Sequence, residues 1–348
     1  NILFVIMDDV GVDQMKAFGY GGLTPPELPN INAVAAAGVR FRNTWSMPEC
    51  SPGRAAMFVG RFPLRNNVYA ALGPYDLANS QVSNSEMTTP KLLKQANYES
   101  AMFGKFHLAG PDNNEDGNTT PLKLGWDYFY GWIRGGPASI DTTAGGVAAV
   151  GSYACGFVPG AADGGADSGA CYHADGACAN LSSLSGGGEA PGKQCLVQGG
   201  LFKPASTCQS TLPAELNFSK PNAYYVSPLV IADANGIQTP PNSDARSRGY
   251  RTTIETQAAI DWIKARSTAK PWMATVSYSA AHTPYQQAPA SLVQGAAGDS
   301  LSCTEFGQQR VLSNKMTEAV DSEFGRLLVE TGLASRNSDG TLAYDPKA

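Results

Sequence analysis

Hydrophobic positions follow two rhythms along this chain, and the alternation between them sets the expected fold. Ile2 to Met7 is an unbroken apolar run closed by Asp8 and Asp9, a pattern that predicts a strand buried on both faces of a parallel sheet. Short helices are predicted at Asn30 to Ala37, Pro52 to Gly60 and Pro90 to Ala96. In the second, Ser51 is placed to cap and Pro52 takes the first helical position. A strand follows at Ser100 to Phe103. Ile254, Ala258, Ile260, Trp262 and Ile263 then recur at helical spacing within Thr252 to Arg266, and Trp272 to Tyr278 reads as the next strand. Met316, Val320, Phe324, Leu327 and Leu328 make one helical stripe that stops at Gly332, a candidate glycine just past a helix end. The alternation predicts the α/β class, a mostly parallel sheet sandwiched between helices.

Between about residues 135 and 248 the rhythm fades into Gly, Ala, Ser and Cys, with five of the seven cysteines. An insertion is expected there, a long loop held by disulfides, with the shaping of a substrate entrance as a secondary reading. Tyr172, Tyr224 and Tyr225 offer faces for stacking a sugar, with simple packing as the plainer alternative. The other elements read as one domain over residues 1–348.

Composition narrows the function classes. The chain has 348 residues, 43% hydrophobic and 16% charged, so it lies far from the disordered regime. A net charge of -5 without a basic run excludes a nucleic-acid footprint. No apolar stretch approaches the roughly 18 residues of a spanning helix. Cys50 stands apart from the other six cysteines, an even set that suits three disulfides and an oxidising compartment, periplasmic or secreted, with the pairing left open. The chain starts on a strand without an initiator Met, so its start is silent on compartment.

Chemistry concentrates around Met47-Pro48-Glu49-Cys50-Ser51-Pro52-Gly53-Arg54. A helix start offers unpaired N–H groups to an anion and lowers the pKa of a nearby thiol. Arg54 lies one helical turn from Cys50, placed for charge-assisted hydrogen bonds. Asp8 and Asp9 end a strand where α/β folds place ligands, and two adjacent carboxylates favour a hard cation such as Ca²⁺ or Mg²⁺. Lys105 and His107 alternate with Phe106, so an extended segment turns both to one face. His282 follows the Trp272 strand, and His173 lies within the insertion. Asn113 reads as part of a solvated loop.

Cys50-x-Pro52-x-Arg54, followed by Ala55 and Gly60-Arg61, resembles the signature of the type I sulfatases, members of the alkaline phosphatase superfamily. Asn1 to Gly11 looks like that family's first strand with its metal-binding Asp pair. Gly104-Lys105-Phe106-His107-Leu108 looks like its Gly-Lys-Trp-His-Leu block, with Phe106 in place of Trp. Ala281-His282-Thr283-Pro284 looks like its His-x-Pro block, and Glu318 to Leu328 like its late helix. The resemblance implies an alkaline phosphatase-like fold and hydrolysis of a sulfate ester on a sulfated small molecule or glycan. It further implies that a maturing enzyme oxidises Cys50 to formylglycine, whose hydrate attacks sulfur and then eliminates sulfate. Asp8, Asp9 and position 50 are implied as ligands of Ca²⁺, with Mg²⁺ as the alternative. Arg54, Lys105 and His282 are implied to hold the sulfate, with His282 assisting the leaving group and His107 as the base of the elimination.

The family's later Asp-Asn-Gly, which completes the metal shell, and a further Lys have no counterpart before Ala348. On that ground a fragment of a longer protein is expected, lacking its C-terminal part and, with two carboxylates, holding Ca²⁺ only loosely as it stands; the alternative is a natural short form with weak metal binding and little turnover. Two other readings stay open: a phosphonate monoester or phosphodiester hydrolase of the same superfamily, and a non-catalytic sulfoglycan-binding relative.

Overall fold

Ala101 and Phe103 belong to one hydrophobic core and Met102 between them to another, because successive side chains of a strand point to opposite faces. The structure, a computed structural model, describes residues 1–73, 76–77, 80–110, 114–136, 155–159, 166–295 and 301–346. The main elements in chain order are β1 (Ile2–Ile6), α1 (Pro29–Ala37), α2 (Cys50–Val59), α3 (Thr89–Gln95), β2 (Glu99–Lys105) and β3 (Tyr128–Trp132). Then come β4 (Ser168–Tyr172), β5 (Cys178–Ser182), α4 (Pro191–Val197), β6 (Leu201–Pro204), β7 (Val230–Asp233) and β8 (Gly236–Gln238). α5 (Arg251–Lys264), β9 (Trp272–Ser277) and α6 (Phe306–Glu330) complete the set.

Six strands form the main sheet in the order β1-β9-β2-β3-β7-β8 among the described residues. The first three pairings are parallel and the last two antiparallel. On one face Phe103, Ala274 and Val276 pack with Ile260 and Trp262 of α5 and Met316, Val320 and Leu327 of α6. On the other, Met102, Phe106 and Phe129 pack with Phe58 and Val59 of α2 and with Trp126. The expected α/β sandwich is therefore present.

Three details depart from the sequence reading. β1 pairs with β9 alone among the described residues and every residue of it is only half-buried, so the apolar run is an edge strand rather than one buried on both faces. α2 begins at Cys50, two residues earlier than expected. Ser51 consequently lies in its first turn, where its hydroxyl accepts from Leu72 N at 3.1 Å instead of capping the helix. The stretch expected as a long loop is folded: β5-β4-β6 form an antiparallel sheet with α4 beside it, and β7 joins the main sheet against β3.

Three disulfides join Cys155–Cys303, Cys171–Cys195 and Cys178–Cys208, and Cys50 alone is free. α6 stops as the sequence suggested, with Gly332 at φ 75 and Leu333 N donating to Leu328 O at 2.9 Å. Asn113 lies outside the described residues.

Candidate active site

The carboxyl ends of β1, β2 and β9 adjoin in the sheet, and the site is built where they stop. Two backbone features put the side chains there. Gly104 has φ +92, and a Cβ on it would meet Ser277 O at 2.2 Å, so only glycine allows β2 to lie this close to β9 and release Lys105 toward the site. Glu49, at φ 64, turns the chain sharply into α2, which sets Cys50 as the first helical residue.

Asp8 is the hub. Its carboxylate accepts from Lys105 Nζ, and Arg54 Nη2 lies 3.7 Å from it. Arg54 and Lys105 are 2% and 0% exposed, so this charge sits out of bulk water, where it counts for more. Burial pushes the Asp8 carboxyl up, but the Lys105 and Arg54 charges outweigh it and hold it below its ordinary value. Arg54 is fixed by more than Asp8: Nη1 donates to Lys105 O at 2.8 Å and to Ser277 Oγ at 2.5 Å.

The Cys50 thiol and a His282 ring nitrogen lie within 4.8 Å of each other, and each acts on the other's titration. Burial raises the thiol, yet the neighbouring His282 and the Lys105 charge bring it below its ordinary value. For His282, burial lowers the imidazole, and the neighbouring Cys50 together with the Asp8 charge carries it above its ordinary value. Asp9, at φ 54, sends its more exposed carboxylate to within 3.6 Å of His282 Nε2.

His107 stands one step aside. Its Nε2 lies 2.9 Å from Leu72 O, so Nε2 carries the proton, and the buried Nδ1 is left without a partner. Burial, reinforced by the Lys105 charge, pushes it down to about 3 and keeps it neutral. Phe106 points away from both neighbours and packs edge to face on Trp126 and Phe129. β2 ends at Lys105 and His107 takes φ 50, so the segment is not extended through His107 as expected from the sequence; Lys105 touches Asp8, and His107 bonds to Leu72 O.

The ligand atoms of Asp8, Cys50 and His282 all lie within 4.8 Å of one another, and Asp9 approaches through His282. The carboxylate oxygens of Asp8 and Asp9 are hard donors that suit a hard cation, while the Lys105 and Arg54 charges beside Asp8 work against one. His173 is elsewhere, 3.7 Å from Cys171 Sγ in the small sheet. Tyr172, Tyr224 and Tyr225 are buried, so they pack rather than offer faces to a sugar. Sequence reasoning missed Ser277 and the Leu72 carbonyl, because a serine in an apolar strand and a backbone oxygen carry no signature. It also missed Glu255, wholly buried with both carboxyl oxygens unpartnered, whose Oε1 lies 2.9 Å from where a Gly104 Cβ would stand.

Fold and site together define an α/β protein that gathers a free thiol, an imidazole, a carboxylate and two cationic side chains at the carboxyl ends of its strands. Residues 1–146 match the Sulfatase family model. N-acetylgalactosamine-6-sulfatase of Homo sapiens is 37% identical over 139 residues, which cover 38% of this chain and 25% of that protein. Steryl-sulfatase of Homo sapiens is 33% identical over 137 residues, 38% and 23% respectively. In fold, Ps i-CgsB aligns 95% of this chain with 55% of its own at a TM-score of 0.57 and 20% identity. PsFucS1 sulfatase from Pseudoalteromonas sp. aligns 99% with 57% at a TM-score of 0.51 and 17% identity. The match therefore spans about a quarter of the length of the curated relatives. Residues 1–146 are thus similar in sequence to sulfatases, and the chain as a whole shares the fold of solved sulfatase structures.

Proposed function

We propose that the protein hydrolyses sulfate esters, releasing sulfate and an alcohol, with position 50 supplying the nucleophile after oxidation of Cys50 to formylglycine. The observation that carries this reading is Cys50 itself. It is the one cysteine outside a disulfide, it opens α2, and its Sγ sits within 4.8 Å of the Asp8 and His282 ligand atoms. The names of the curated relatives, N-acetylgalactosamine-6-sulfatase and steryl-sulfatase, support the ester class. A sulfated glycan or sulfated small alcohol is the substrate class.

Asp8 and Asp9, with an oxygen on residue 50, are the proposed holders of a divalent cation, a hard ion because the donors are carboxylates, and Ca²⁺ before Mg²⁺ because the family resemblance implies it. When bound, that cation supplies positive charge to the sulfuryl oxygens. Oxidation at position 50 supplies an aldehyde hydrate, one hydroxyl for attack and a second whose deprotonation releases sulfate. The remaining work falls to unmodified side chains. Arg54 and Lys105, buried and fixed in place, stabilise charge as it develops on the transferred group. His282 hands a proton to the departing alcohol, for which an imidazole held above its ordinary pKa is suited. His107 offers the bare Nδ1 as the acceptor for the elimination.

Three disulfides suit a periplasmic or extracellular protein, and a formylglycine-generating enzyme is the implied partner. The test is steady-state hydrolysis of an aryl sulfate and an aryl phosphonate monoester by chain co-expressed with a maturing enzyme. Sulfate turnover lost by at least about 10³-fold in Cys50→Ala is the expected result. Phosphonate turnover without sulfate turnover overturns the proposal.

A further inference from the structure

No helix or strand holds the loop that presents His282. Between the end of β9 at Ser277 and the short helix at Ala290 the chain has no regular element. Backbone bonds from Asp8 N to Ala280 O and from Gly156 N to Tyr285 O tie it at two points, and three of its other carbonyls turn toward a single phenol. The Tyr224 hydroxyl lies 3.1 Å from Ser279 O, 2.9 Å from His282 O and 3.3 Å from Thr283 O. Carbonyls only accept, so one phenolic proton serves three acceptors. Burial pushes this phenol well above its usual pKa range, so it remains a donor.

Tyr224 is itself immobilised. Its carbonyl accepts from Arg251 N at 2.7 Å, Ala223 before it adopts φ 42, and the following Tyr225 donates its hydroxyl to Gln287 O at 2.6 Å. The loop and the imidazole share one of the carbonyls that Tyr224 binds. His282 Nδ1 lies 2.6 Å from Thr283 O, so Nδ1 carries the proton, and Nε2 is left facing Asp9 at 3.6 Å.

We propose that Tyr224 is a positioning residue: by gathering the Ser279, His282 and Thr283 carbonyls on its hydroxyl, it fixes the His282 imidazole as the Nδ1–H tautomer with Nε2 turned into the site. The role of His282 in turnover rests on the function proposed above, whereas its tautomer is read without turnover. Tyr224→Phe keeps the ring and its packing and removes the donor the three carbonyls share; Ser279 O keeps His282 N and Thr283 O keeps His282 Nδ1, so the loss falls on His282 O. Tyr225→Phe removes the neighbouring hydroxyl, which serves Gln287 and none of these carbonyls.

The chain has three histidines, so ¹⁵N-imidazole spectra of histidine-labelled protein resolve them, with His282→Gln giving the assignment. Spectra are taken where the imidazoles are neutral. The unmutated chain is expected to show His282 almost wholly protonated at Nδ1. Tyr224→Phe is expected to lower that share to about half and to reduce kcat on an aryl sulfate about tenfold with KM little changed; Tyr225→Phe leaves the tautomer as it was. A Tyr224→Phe spectrum identical to the unmutated one, or an equal change in Tyr225→Phe, overturns the proposal. Should no form of the protein hydrolyse sulfate esters, the function fails and the tautomer still decides the role of Tyr224. A measurement without a variant adds to this: the Tyr224 hydroxyl proton is expected to exchange slowly with solvent, and rapid exchange overturns the role.

Discussion

Arg54 makes three contacts that depend on the flat fork of a guanidinium: Lys105 O and Ser277 Oγ from one nitrogen and Asp8 across 3.7 Å from another. A lysine keeps the charge and loses the fork. Arg54→Lys is therefore expected to lower kcat/KM on an aryl sulfate by roughly 10²-fold with a near-normal fold by circular dichroism. Glu255 is a second buried case with the opposite demand. Burial raises its carboxyl from 4.5 to about 8, with the Arg251 and Arg54 charges opposing. Between those two values the folded chain binds more protons than the unfolded one, so this group's contribution falls as pH rises through that window. Urea unfolding at about pH 5 and about pH 8 is expected to show Glu255→Gln losing a pH-dependent term on the order of 3 kcal/mol, and an unchanged slope contradicts this. Asp8, Cys50, Arg54, Lys105 and His282 were legible in the sequence because their types and spacing carry chemistry. Glu255 was not, since a Glu within a helical run looks like any solvated position until the packing around Gly104 is seen.

At the scale of elements, the approach of β2 to β9 rests on one residue. A methyl group at Gly104 would face Ser277 O at 2.2 Å on a backbone with φ +92. Gly104→Ala is expected to cost about 3 kcal/mol of stability in denaturant titration and to displace Lys105 from Asp8. The rhythm of apolar positions located β1, α3, β2, α5, β9 and α6 to within a few residues, α6 only by its second half. It misplaced the start of α2, because Ser51 and Pro52 form a good cap pair and the turn at Glu49 depends on contacts such as Ala71 N to Glu49 Oε2. It also missed β4 and β5, short strands rich in Gly, Ala and Ser whose pattern carries little amphipathic contrast, and β6, whose four residues Leu201–Pro204 are too few to show a period. These strands are held from outside by Cys171–Cys195 and Cys178–Cys208. Replacing Cys178 and Cys208 with Ala together is expected to lower stability by about 3 kcal/mol, read by thermal or urea unfolding.

Over the whole molecule, two hydrophobic cores on opposite faces of one sheet hold the strand ends that meet at Asp8, Lys105 and Ser277. Cys155–Cys303 ties the stretch before β4 to the segment that leads into α6. That framework leaves a single thiol outside the disulfides, at a helix start beside carboxylate, guanidinium, ammonium and imidazole. The most direct measurement is peptide mass spectrometry across Met47 to Arg54 of chain made in a host that matures sulfatases. A loss of about 18 Da at Cys50, conversion of the thiol to an aldehyde, is the expected result. An unmodified thiol from such a host contradicts the proposed nucleophile.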